Sequence, residues 1–156
     1  MQFNKPVSNP MLVGSIELLK AEDTPGHRKM FEEEAMKAVY LAPVTVKPAP
    51  EPDANGMVRI NPGSQVQFPM LSAPDGKRFF MAFTDWSELK KWRDEDGQQT
   101  LAMSFDDYMD MLFKKEAGGK ENPAAGFVIN PFGGNIAITR EMAMIFISNK
   151  MARMKK

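Results

Sequence analysis

Seven prolines crowd the stretch from Pro43 to Pro74: Pro43, Pro48, Pro50, Pro52, Pro62, Pro69 and Pro74. Proline locks its own φ and lacks a backbone donor, so it stops helices and is excluded from the middle of sheets. The chain is thereby divided in three. Residues 1–42 read as helical, 43–76 as proline-interrupted, and 77–156 as alternating strand and helix signals. The prolines at about 45–62 predict an extended loop between two strands. Alternating prolines there favour polyproline II, but no PxxP segment sits beside a clean basic anchor that would make it a ligand for a proline-recognition domain.

The helical stretch starts with two N-terminal signals. Asn9-Pro10 reads as N-cap and first helical residue, and Leu12, Ile16 and Leu19 follow on one face. Thr24-Pro25 repeats the signal for a second helix, with Phe31, Ala35, Ala38 and Val39 as its apolar face and Glu32, Glu33 and Glu34 near its positive end. Tyr40 to Val44 then reads as a short strand, with Pro43 marking an edge or a strand end.

Beyond the prolines, Gln65 to Phe68 alternates as a half-buried strand does. Ala73-Pro74-Asp75-Gly76 is a turn in which proline presets φ, aspartate bonds its own backbone and glycine takes positive φ. Arg78 to Phe83 returns as a nearly continuous apolar strand, the pattern of a sheet centre covered on both faces. Asp85 or Thr84 caps a helix with Trp86 and Leu89 inward. Gln99 to Met103 is a strand. Ser104 caps the most amphipathic helix, carrying Phe105, Tyr108, Met109, Leu112 and Phe113 inward, and Gly118-Gly119 ends it. Strands at Gly126–Asn130 and Asn135–Ile138 flank the turn Pro131-Phe132-Gly133-Gly134, and Thr139 caps a final helix. The sum is one α+β domain over residues 1–156. Its mixed, largely antiparallel sheet has about five strands packed by helices, two at the N-terminus and one at the C-terminus.

Two phrases resemble a known family. Phe79-Phe80-Met81-Ala82-Phe83-Thr84-Asp85-Trp86-Ser87-Glu88-Leu89 looks like the strand-to-helix segment of the enhanced-serine-sensitivity (SseB) N-terminal domains. Gly126-Phe127-Val128-Ile129-Asn130-Pro131-Phe132-Gly133 is similar to that family's Asn-Pro strand end. The order of elements is similar along nearly the whole chain. The resemblance implies an α+β domain named for a phenotype rather than a reaction, and it supplies no catalytic residues. Many relatives continue into a second domain, and a function that needs that half is not implied here.

Composition narrows the chemistry. The chain has no cysteine, which excludes disulfides, thiolate metal sites and a cysteine nucleophile, and suits a reducing, cytoplasmic setting. Lysine plus arginine equals aspartate plus glutamate, 20 each, and the one basic cluster is Lys150, Arg153, Lys155 and Lys156. A cationic helix end is expected from the helix dipole alone, so no nucleic-acid partner is expected. The start of the chain lacks the pattern of a signal peptide, and no apolar run approaches the length of a membrane span.

His27, the single histidine, has no second histidine or cysteine with which to hold zinc, and no G-x-S-x-G is present for a triad. Asp106, Asp107 and Asp110 read as a solvated acidic face at a helix start. The glycine pairs match neither a P-loop nor a dinucleotide motif. No cofactor, metal or catalytic residue is expected.

Fourteen methionines are the compositional oddity. Met144, Ile147, Met151 and Met154 form a stripe spaced 3, 4, 3 on the last helix, while Met142, Ile145 and Phe146 offer a core-facing set. Two functional readings follow. The first is a non-enzymatic module that binds a protein partner or itself, using Asn130, Pro131 and Phe132 with Met144, Ile147 and Met151. Here Asn130 fixes the turn through its side chain. The alternative is a small-molecule or anion-binding domain, or an enzyme with an unfamiliar site, using Thr84, Asp85 and Trp86 at a strand end beside a helix N-terminus.

Overall fold

The computed structural model describes residues 6–47, 65–95, 97–113 and 124–154. The expected proline-rich loop, the Gly118-Gly119 helix stop and the terminal lysines lie largely or wholly outside them. Helices α1 (Pro10–Ala21) and α2 (Pro25–Lys37) are followed by β1 (Val39–Lys47), β2 (Gln65–Gln67), β3 (Met70–Ser72) and β4 (Arg78–Ala82). Then come α3 (Trp86–Trp92), β5 (Gln99–Ser104), α4 (Phe105–Phe113), β6 (Gly126–Ile129), β7 (Ile136–Thr139) and α5 (Arg140–Met154). The fold is α+β, with two helices leading and one closing the described chain. Among the described residues seven strands form two sheets, ordered β2-β1-β5 and β3-β4-β6-β7. β4 and β6 pair in parallel, and the other strand pairs are antiparallel.

One bridge joins the sheets: Leu41 and Phe83 exchange backbone hydrogen bonds of 2.8 and 3.0 Å. From this point β1 and β4 diverge like the arms of a fork. β2 runs inward along β1, pairing Gln67 with Thr45, and β3 runs outward along β4, pairing Met70 with Phe80. Phe68-Pro69 turns the chain between them. The expected hairpin is therefore corrected. Its turn forms as read, with Gly76 at φ +87° and the Lys77 N–H donating to Asp75 Oδ1 at 3.0 Å. But Pro69 splits the outgoing strand, and Gln65–Gln67 pairs with β1 instead of β4.

Pro43 is also corrected, because β1 is the middle strand of its sheet and Pro43 lies within it. Alternation explains the tolerance. Leu41 directs its N–H toward Phe83, so the Pro43 nitrogen, two residues on, faces the same side. There it meets the gap between the Leu41–Phe83 bridge and the start of β2 at Thr45. Among the described residues, the missing donor falls where no partner strand lies.

The helices form where their caps predict. Thr24 Oγ1 accepts from the His27 N–H at 3.1 Å, Asp85 Oδ1 from the Glu88 N–H at 2.9 Å, and Thr139 Oγ1 from the Met142 N–H at 3.2 Å. Ser104 and Asp107 make a reciprocal capping box at 3.2 and 2.9 Å. Two readings of α2 change. It ends at Lys37, so Val39 opens β1 rather than extending the helical face, and no acidic residue lies in its first turn. Glu32 is instead buried, accepting from Asn149 Nδ2 at 2.8 Å and Arg153 Nη1 at 3.3 Å on α5.

The sheets are covered on both faces. Tyr40, Ala42, Val44 and Val46 of β1 join Phe80, Phe127, Leu12, Ile16, Phe31, Tyr108 and Phe146 in the main core. Leu41 points the other way, with Met81, Phe83 and Leu89, into a smaller core roofed by α3. Both N-terminal helices contribute to the main core, so they pack on one face of the sheet. An aromatic set ties that core together, with Tyr108 stacked on Phe127 at 4.6 Å between centroids and Phe31 edge-on to Phe146 at 6.2 Å.

Candidate functional site

Thr84 and Asp85 of one residue group and Asn130 of the other meet where β4 and β6, paired in parallel, end side by side. At this end β4 runs into Thr84 and α3, and β6 into the turn at Asn130. Asn130 takes a left-handed conformation, φ +49°, and is buried. Its backbone carbonyl accepts from the N–H groups of Gly133 and Asn135, each at 2.9 Å, and closes the turn. The side chain does something else: Oδ1 accepts from the Thr84 N–H and Nδ2 donates to Thr84 Oγ1, both at 3.0 Å. The turn is thus fixed by the backbone of Asn130, while its amide clamps β6 to the end of β4.

The network continues. The Thr84 hydroxyl donates to Asp85 Oδ2 at 2.9 Å, and Asp85 Oδ1 caps α3. Asn9 joins from the far end of the chain. Its amide donates to the carbonyls of Thr84 at 2.9 Å and Val39 at 2.8 Å, and its Oδ1 accepts from the Val39 N–H at 3.3 Å. Asn9 stands at the head of α1 as expected, but it spends its side chain on two strands and leaves the helix start without a side-chain cap. Nothing local in the sequence signals this. The clue was only that Asn9 is a polar residue capable of three bonds.

Above the network lies a cleft of about 250 Å³. α1 supplies Val13, Ile16 and Glu17, α3 supplies Asp85, Glu88 and Lys91, and Asn130, Gly133 and Gly134 form the third wall. The two glycines have a reason beyond the turn. A Cβ on Gly133 would overlap Glu88 Oε1, and one on Gly134 would stand 2.7 Å from Ile16 Cγ2. The turn is pressed between α1 and α3.

The polar groups of the α3 wall already have partners, while Glu17 on α1 is exposed. Asp85 is engaged by Thr84 and the α3 start, and Glu88 is paired with Lys91. Three carboxylates against one ammonium make it unfavourable to an anion, and the donors at the head of α3 meet Asp85 first. Thr84 is fully buried and Trp86 partly so, with Trp86 packed on the smaller core. Among the described residues no group of histidine and carboxylates is placed to hold a metal ion. His27 is half-buried, its Nδ1 donating to the Glu22 carbonyl at 2.6 Å, and Asp106 and Asp110 are exposed.

The other candidate residues lie elsewhere. Pro131 and Phe132 occupy the tip of the β6–β7 turn, with Phe132 51% exposed. α5 begins at the opposite end of β7. It buries Ala143 and Phe146, and leaves Met144, Met151 and Met154 exposed at 61%, 54% and 75%. Ile147 is half-buried against the main core. Ile145, expected inside, is exposed: the helix packs through Ala143 and Phe146, with Met142 and Ile147 partly buried beside them.

The family model for the SseB protein N-terminal domain matches residues 12–142, from the first turn of α1 to the first turn of α5. No curated protein and no solved structure matches the chain.

Proposed function

The chain belongs to the SseB protein N-terminal domain family, and from that premise we propose that it is a non-enzymatic protein-binding module of the cytoplasm, docking a protein partner through α5. The observation that carries this reading is the stripe on α5. Three methionines stay more than half exposed on a helix that is anchored in the core by Ala143 and Phe146 and tied to α2 through Asn149. Water-exposed methionine in a contiguous stripe is costly unless a partner covers it, and its flexible thioether adapts to an irregular surface. Phe132 and Pro131 at the hairpin tip are a second, smaller apolar point. The equal charge counts and absence of cysteine agree with a protein partner in a reducing compartment rather than with nucleic acid.

The test is capture. Immobilised chain is exposed to lysate alongside Met144→Asp/Met151→Asp and Phe132→Asp variants, each checked for fold by circular dichroism. The reading expects a retained protein that the double variant loses. Identical retention by all three folded chains would sink the α5 assignment.

The cleft beside Asn130 motivates the second reading, a small-molecule site. It is smaller than the roughly 300–1,000 Å³ usual for such sites, and Asp85, Glu88 and Lys91 in its lining are already engaged with one another or with the chain. A thermal-shift screen with phosphate, amino acids including serine, and divalent cations decides, since a ligand well above its dissociation constant must raise the melting temperature. No shift with any of them removes this reading.

A further inference from the structure

We infer that Met144, Met151 and Met154 form an oxidation site: peroxide converts their thioethers to sulfoxides, α5 loses its outer apolar stripe with the fold intact, and its hold on a partner is lost. The chemistry stands on the exposure of the three sulfurs. Only the loss of the partner rests on the binding-module reading above, whose regulation it names.

The chain has no cysteine, so all its sulfur is thioether. A two-electron oxidant such as hydrogen peroxide therefore finds methionine as its sulfur target, and access sets the order of attack. The fold sorts the methionines by access. Met81, Met103 and Met109 are buried in the two cores. Four of the described methionines are more than half exposed, and three of these lie on α5. The fourth, Met11, lies on α1.

The step transfers one oxygen atom. The sulfur lone pair attacks a peroxide oxygen, the O–O bond breaks and an S–O bond forms. Sulfur gives up two electrons. The hydroxide that leaves takes the proton from the new S–OH group and departs as water, so the product is a neutral sulfoxide.

Position decides the consequence. In the core a sulfoxide would set an unpaired polar group among apolar side chains and break the packing. On the outside of α5 it meets water. The helix is held by Ala143 and Phe146 in the core and by Asn149 and Arg153 on buried Glu32. None of the three methionines belongs to the core or packs against it. Oxidation there removes apolar surface and spares the anchors.

The experiment treats the intact chain with graded hydrogen peroxide, stops the reaction with catalase and locates the sulfoxides by peptide mass. Met144, Met151 and Met154 should convert at least about tenfold faster than Met81, Met103 and Met109, with circular dichroism unchanged. Equal rates, or unfolding in step with the conversion of α5, would overturn the site. A Met144→Leu/Met151→Leu/Met154→Leu chain keeps the stripe apolar without its sulfur. Peroxide should weaken binding of the native chain to a phenyl column and move the leucine chain far less. Equal shifts would place the effect elsewhere, Met11 included, and overturn the assignment to α5. If the leucine chain fails to fold, the sulfoxide map alone decides. Finally, the native chain is immobilised and oxidised before it meets lysate. It should lose the protein that depends on Met144 and Met151, and methionine sulfoxide reductases for both epimers should restore it. Undiminished capture by a chain shown to be oxidised overturns the regulation and leaves the binding module standing. No capture by the unoxidised chain removes the binding module and its regulation together, while the map and the column still judge the oxidation site.

Discussion

Asn130 shows how much one side chain can carry. It combines a left-handed backbone with two hydrogen bonds to Thr84, both out of water. Asn130→Gly keeps the backbone and loses the bonds. Asn130→Ala loses the bonds and adds left-handed strain. We expect Ala to cost about 3 kcal/mol and Gly about 1 kcal/mol less, measured by urea unfolding. Equal losses would mean that the backbone conformation carries no strain. Gly134→Ala is expected to cost about 1–3 kcal/mol, because the branched, buried Ile16 beside it has little room to yield. Relief by a companion Ile16→Ala change, in a double-mutant cycle, checks that cause. The sequence marked both Asn130 and Gly134 as turn residues, and both are. What it could not mark was their second contact, because Thr84 and Ile16 are remote along the chain.

At the scale of elements, β1 tests whether hydrogen-bond parity governs where proline is allowed. The Pro43 nitrogen faces the fork, whereas the Ala42 N–H faces β5 opposite Leu101. Pro43→Ala should change stability by less than about 0.5 kcal/mol, while Ala42→Pro should cost about 3 kcal/mol or more. Chemical unfolding of the two variants measures both, and comparable effects would remove the parity explanation. The helix caps were readable because a cap depends on residues three positions apart. Thr24, Ser104 and Thr139 needed no knowledge of the fold. The strand partners were not readable in the same way. The segment Gln65–Ser72 is short, polar on one side and cut by Pro69, and only the divergence of β1 from β4 decides that it serves both.

For the whole molecule, the two tyrosines report on integrity. They are the only two in the chain. Tyr40 donates to the Ala35 carbonyl at 2.6 Å and Tyr108 to the Met81 carbonyl at 2.8 Å. Burial pushes both phenols far above their ordinary value near 10. A folded pKa raised above the unfolded one leaves stability intact below about pH 10 and removes it as pH climbs beyond. Phenolate absorbance should therefore appear in one step with alkaline unfolding. Gradual titration of the folded chain would contradict the burial of both rings. Glu32 joins α2 to α5 across 117 residues of sequence. Glu32→Ala should destabilise the chain by about 1–3 kcal/mol and raise amide exchange first in the last turns of α5. Uniform exchange along the chain would show that this tie is not specific.

What the sequence determined by itself was local. Helix starts, the Pro74–Gly76 turn, the inward face of α4 and the α+β class all depend on neighbours within a few residues, and dihedral sterics, capping and periodicity settle them. What only the tertiary structure decided was every relation across the chain. It set the fork filled by β2 and β3, the Asn9–Thr84–Asn130 network, and the squeeze of Gly133 and Gly134 between α1 and α3. It also settled which stripe of α5 remained outside. Those depend on packing between segments that sequence spacing does not connect, since a side chain's periodicity states that it has a face but not what that face will meet.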